Sequence, residues 1–114
     1  LNLRHIWGDS NCGNDFCNDT PEHDGSNYGC PSYPHTSSCP GNGSYGDMYQ
    51  NYMDYTNDAC MNIFTQDQKS RMLAAINTSR QGLLTSNGCN TDYGCIDSTA
   101  LNYDSLAISE IFEL

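Results

Sequence analysis

Apolar positions fall at helical spacing in one stretch of the chain, "FTQDQKSRMLAAINTSRQG", where Met72, Leu73, Ala75 and Ile76 form a stripe. Thr65 followed three residues later by Gln68 has the form of a capping box, and Asp67 sits at the positive end of the helix dipole. The pattern predicts a helix over about 66–79, with Arg80 near its C-terminus, Gly82 placed to end it and the stripe turned to the core. Between Trp7 and Ala59 the chain is dotted with aromatics and rich in Gly, Pro, Asn and Asp, the pattern of long loops. Beyond Gly82, "LLTSNGCNTD" reads as a linker and "YGCIDSTALNYDSLA" as a separate small unit.

Composition sharpens this picture. The chain has 114 residues, and its 37% apolar content includes eight Tyr and seven Cys, so little is left for an aliphatic core. The cysteines at 12, 17, 30, 39, 60, 89 and 95 lack the paired C-x-x-C knuckles of a structural zinc site. They predict disulfides, an oxidising compartment and a secreted protein.

Fourteen Asp or Glu stand against four Lys or Arg. Arg4, Lys69, Arg71 and Arg80 cannot make the basic footprint that nucleic acid requires, so nucleic acid is not an expected partner. The acids suit oxygen-rich cation sites, with a solvated acidic surface as the plain alternative. No run approaches the length of a membrane span.

The opening "LNLRHIWGD" has neither an initiator methionine nor the apolar run of a secretory leader, so the chain is expected to begin inside a longer protein. A catalytic zinc needs three protein ligands and an open position. In the metzincin pattern H-E-x-x-H-x-x-G-x-x-H a glycine ends the helix in a left-handed conformation and swings the third histidine to the metal. Asn2 stands three residues before His5, and Asn tolerates that conformation best after Gly. By itself this is a weak signal, since a lone histidine beside Trp7 is ordinarily a packed or surface residue. Met53, in the turn-prone "NYMDYTNDACMNIFT" just before the helix, adds a methionine in the required order.

"LNLRHIWGD", "NDFCNDTP", "NYGCPSYPHTSSC" and "NYMDYTNDACMNIFTQDQKSRM" together resemble the pappalysin (M43-type) family of secreted metzincin metalloproteases across roughly residues 1–80. The resemblance implies an α+β fold class, of which this chain is the C-terminal subdomain: disulfide-pinned loops with one C-terminal α-helix. It implies residues 1–81 as part of the catalytic domain, 82–93 as linker and 94–114 as a truncated repeat. The implied activity is hydrolysis of peptide bonds in protein or peptide substrates, with Zn2+ and a calcium ion, Ca2+, as cofactors. His5 would be the third zinc ligand, Met53 the floor of the Met-turn, and Tyr55 a hydroxyl donor to the developing oxyanion. Core packing of Tyr55 is the plain alternative. Asp15 and Thr20 would supply oxygens to calcium, with Asp19 capping or bracing the loop; an Asx-turn without an ion is the alternative. The resemblance also implies bridges Cys12–Cys39 and Cys30–Cys60, leaving Cys17 odd, either paired locally with Cys12 or reduced. His23 and His35 match nothing catalytic and are expected to be structural residues in exposed loops. The stretch 58–60 is expected near the pocket beyond the scissile bond.

The chain contains no H-E-x-x-H, so one imidazole is left to the zinc and the stretch alone is expected to be inert. The register set by Asn2 predicts His, Glu, any, any, His, any for the six positions before Leu1. The tail is similar to short Cys, Asn and aromatic repeats of secreted bacterial proteins, without a closing cysteine, and the partners of Cys89 and Cys95 stay open. A second class fits the same acids and cysteines: a non-catalytic secreted calcium-binding or adhesion module. Met53 and Tyr55 separate the two, because such a module has no reason to place them before a capped helix.

Overall fold

The computed structural model describes residues 1–86. By its internal contacts the chain divides into two compact units, Leu1–Arg80 and Gln81–Leu114. Cys89, Cys95 and the expected repeat lie outside the described residues; of the second unit, the 3-10 helix Gln81–Thr85 is described. The first residues of the expected linker are therefore wound into a helical turn.

The one α-helix among the described residues, α1, spans Gln66–Thr78. Thr65 and Gln68 form both halves of the capping box: the Thr65 hydroxyl accepts from the Gln68 amide, and Gln68 Oε1 accepts from the Thr65 amide. α1 stops before Gly82, with Ser79 as its cap; the amides of Ser79 and Arg80 both donate to the carbonyl of Ala75, the second across five residues, so the helix closes on a wider turn that satisfies that end carbonyl. The stripe is only partly core. Ala75 is buried and Met72 and Ile76 are half-buried, but Leu73 is 47% exposed.

No strand is present among the described residues, where β structure is limited to a parallel bridge between Asn51 and Ile63. An α+β sheet is thus not seen in this part of the chain. The loops are held by side chains instead. More polar than apolar residues are buried: Asp15, His23, Asn27, Asn42, Asp47, Asn51, Asp54, Thr56 and Gln68 against Ile6, Cys17, Cys39, Tyr49 and Ala75. Asn and Asp side chains can satisfy backbone groups that lack a ladder partner, which lets a chain poor in aliphatics fold without a sheet. Asn42 shows the device: its Nδ2 donates to the Glu22 carbonyl at 2.8 Å and its Oδ1 accepts from the Ser37 amide at 3.0 Å.

Two disulfides close this unit, Cys12–Cys39 and Cys30–Cys60, the pairs that the resemblance implies. The second ties Cys30 to the 3-10 helix Asp58–Cys60, alongside a bond from the Asn57 amide to the Gly29 carbonyl. Cys17 is free and buried; burial and then the Asp15 carboxylate push its thiol up to about 11, which leaves it protonated and unreactive at neutral pH. No helix among the described residues is long and apolar enough to cross a membrane.

Candidate functional site

Asn2 adopts the left-handed conformation, φ 64°, and Arg71 of α1 holds it there by donating from Nη2 to the Asn2 carbonyl at 3.2 Å. Three residues on, His5 enters a tight turn in which its own carbonyl accepts from the Gly8 amide at 2.8 Å. Gly8 has φ 60°, and a Cβ there would collide with the backbone of Gly13 and Asn14, so glycine is required. Ile6, 1% exposed, anchors the segment, and its amide donates to the Met53 carbonyl at 3.3 Å. That bond places the turn bearing Met53 directly against the segment bearing His5.

The Met53 turn is closed twice. The Asp54 amide donates to the Asn51 carbonyl at 3.0 Å, and the Met53 amide donates to Asn51 Oδ1 at 2.9 Å. Tyr55 follows, 47% exposed, with its ring edge-on to His5 at 4.9 Å and to Trp7 at 5.0 Å. Trp7 in turn stacks parallel on the imidazole at 4.5 Å. Tyr28 completes the group, its ring 6.1 Å from that of Tyr55. The imidazole is held on its Nδ1 side by Asp9 Oδ1, which leaves Nε2 without a hydrogen bond among the described residues. A carboxylate on one ring nitrogen is the arrangement that fixes a histidine's tautomer for metal binding through the other.

The acidic loop gathers oxygens around Asp15. Thr20 Oγ1 donates to the Asp15 carboxylate at 2.9 Å and lies 3.0 Å from the Cys17 carbonyl, and the Cys17 amide donates to Asp15 Oδ1 at 3.0 Å. Asp19 braces the loop against α1: its Oδ2 accepts from the Asp67 amide, while Asp67 Oδ2 accepts from the Asn18 amide. Among the described residues no three His, Cys, Asp or Glu side chains are grouped to hold a metal ion. A cleft of about 640 Å³ lined by Thr20, Tyr33, Tyr45, Met48 and Ile63 includes neither His5 nor Tyr55.

His23 departs from expectation. It is fully buried rather than in an exposed loop, whereas His35 is exposed. Its Nε2 accepts from the Met48 amide at 2.9 Å, and Nδ1 stands 3.6 Å from Asp54 Oδ2 without a hydrogen bond. Burial pushes its pKa below the ordinary value, against the opposing pull of Asp47 and Asp54. Sequence reasoning gave no role to Asp9, Asp54, Asn27 or Asp47. Asp9 and Asp54 carried a signal, since each is an acid within four residues of a site residue; the partnerships of Asn27 and Asp47 join distant loops and had none.

The peptidase M43 family model, described as pregnancy-associated plasma protein-A, matches residues 1–77. An extracellular metalloprotease of Arthroderma otae is 40% identical over 84 residues, covering 72% of this chain and 30% of that protein. Another, of Uncinocarpus reesii, is 44% identical over 68 residues, 60% of this chain and 24% of that one. Mature mirolysin of Tannerella forsythia in complex with a cleaved peptide superposes with a TM-score of 0.61 at 53% identity, over 67% of this chain and 29% of that one. The chain thus spans less than a third of the length of these relatives.

Proposed function

The chain belongs to the peptidase M43 family, and from that premise we propose that it forms the C-terminal part of the catalytic domain of a secreted, zinc-dependent metalloendopeptidase of pappalysin type, acting on protein or peptide substrates. The α+β class is that of the whole domain, to which this stretch contributes disulfide-pinned loops and α1. The observation that carries the reading is the imidazole of His5, held at Nδ1 by Asp9 and open at Nε2, with the Tyr55 ring against it on the turn that bears Met53.

The residues present fit a zinc ligand set in part. His5 would hold the ion through Nε2, and the other ligands, with a glutamate as general base, would come from outside the described residues. Bound zinc supplies Lewis-acid polarisation of the scissile carbonyl. Asp9 keeps the His5 proton on Nδ1, so that the lone pair is always on the ligand side. Trp7, stacked on the ring, stops it from turning out of line. The Tyr55 hydroxyl donates to the oxyanion that develops as water attacks. Met53 forms the apolar floor, and the backbone bond between its carbonyl and Ile6 fixes that floor to the His5 segment.

Asp15 and Thr20 fit calcium by donor chemistry. A carboxylate, a hydroxyl and the Cys17 carbonyl already converge within hydrogen-bond distance, and calcium fills its larger shell from such hard oxygens. The zinc reading is tested in the full-length protein. His5→Ala is expected to abolish both bound zinc, by elemental analysis, and peptide cleavage. Retention of zinc with unchanged cleavage would remove His5 from the metal centre.

A further inference from the structure

Behind the exposed ring of Tyr55 lies a buried unit that the proposed mechanism does not use. His23 is 0% exposed and Asp54 3%. Because Nε2 of His23 accepts from the Met48 amide, the neutral ring carries its proton on Nδ1, and that N–H faces Asp54 Oδ2 at 3.6 Å. No hydrogen-bond partner among the described residues reaches it, and Asp54 Oδ2 is the carboxylate oxygen that stands beside it. The Asp54 carboxylate accepts three hydrogen bonds. Its Oδ1 accepts from two backbone amides, Asn27 at 2.8 Å and Tyr55 at 2.7 Å, while Oδ2 accepts from Asn27 Nδ2 at 2.8 Å. One oxygen therefore holds the backbone of Tyr55 and the residue before Tyr28, the two tyrosines whose rings meet at the His5 site.

A buried carboxylate is costly to place without donors around it, and its position then dictates that of the amides it binds. Asn27 extends the unit to Asp47, whose carboxylate also takes Asn42 and Ser37. Burial lowers the His23 pKa and favours the neutral ring, so it stands against Asp54 at 3.6 Å as a neutral neighbour rather than as a counter-charge.

We propose that His23 and Asp54 are positioning residues, which hold the Tyr55 backbone in register so that its hydroxyl meets the transition state formed at the His5 site. The proposal rests on the reading of Tyr55 as an oxyanion donor. It requires His23 to act through Tyr55 and not merely to support the fold.

A double-mutant cycle in the full-length protease separates these. With a fluorogenic peptide, His23→Leu is expected to lower kcat about tenfold, with KM within about twofold and zinc retained. In the Tyr55→Phe background the same change is expected to cost less than about twofold, because the hydroxyl it positions is already gone. Equal losses in both backgrounds, or an unchanged kcat for His23→Leu, would overturn the positioning role. No effect of Tyr55→Phe alone would instead overturn the reading of Tyr55. His23→Gln keeps an acceptor for the Met48 amide without the Nδ1 donor, and it carries the cycle where His23→Leu fails to fold. Failure of both variants to fold would overturn the proposal in favour of a purely structural pair.

Discussion

Asp9 bonds Nδ1 of His5 and Tyr55 meets that ring edge-on, so the proposed chemistry of this stretch rests on a few side chains. Tyr55→Phe in the full-length protein keeps the ring contacts with His5 and Trp7 and removes only the hydroxyl. Turnover is expected to fall about a hundredfold, the scale for loss of one oxyanion donor, with zinc content unchanged. Equal turnover would leave Tyr55 as packing. His23 gives a second residue-scale expectation. Its pKa in the folded protein is lowered below the ordinary 6.5 by burial, so the unfolded chain binds the proton more readily. Stability associated with the neutral ring is present above about pH 6.5 and is lost as pH falls toward the folded pKa. Thermal unfolding followed from about pH 7.5 to about pH 5 should therefore decline less steeply for His23→Gln than for the wild type. Parallel declines would mean that other groups carry the acid sensitivity.

At the scale of elements, α1 owes its position to its first turn. Gln68 is 1% exposed and closes the capping box, and its amide also pairs reciprocally with Asn51, at 2.8 and 3.0 Å. Asn51 in turn receives the Met53 amide, so the helix start and the Met53 turn share one buried bond set. Gln68→Ala is expected to cost about 2–4 kcal/mol, since it removes half of the capping box and leaves the buried Asn51 Nδ2 with only the weak sulfur acceptor of Met48, against about 1 kcal/mol for Thr65→Ala. Denaturant midpoints distinguish them; equal losses would show that only the cap matters. What the sequence made legible here follows from range. Thr65 and Gln68 are three residues apart, and their chemistry is local. The bond from Gln68 to Asn51 spans seventeen residues and has no periodic signature. Leu73 shares the stripe yet is 47% exposed, because spacing shows which residues share a face and not what covers it. His23 reads as exposed among Glu22, Asp24 and Gly25, and only the folding of Asp54 and Met48 over it makes it core. The disulfide pairs were legible through the resemblance alone, since seven cysteines permit many pairings.

Across the unit Leu1–Arg80, the acidic loop and the His5 segment are joined through α1. Asp19 and Asn18 clasp the helix start at Asp67, and the Phe16 ring lies under both Arg4 and Arg71, at 5.1 and 5.5 Å. Arg71 then holds the Asn2 carbonyl at the turn that delivers His5. Asp15 sits at the root of this chain of contacts, buried, with Thr20 and the Cys17 backbone bonded to it. A calcium ion on Asp15 and Thr20 would neutralise charge in a chain of net charge −10 and lock the loop. Its removal is expected to loosen the loop first, where backbone bonds are few, before α1 unfolds. In the full-length protein, chelation should raise proteolytic cutting within residues 15–20, and Asp15→Ala should raise it to the same level with or without chelator. Cutting that is identical in the wild type with and without chelator would mean that hydrogen bonds alone hold the loop, and that the acids here serve the polar core rather than an ion.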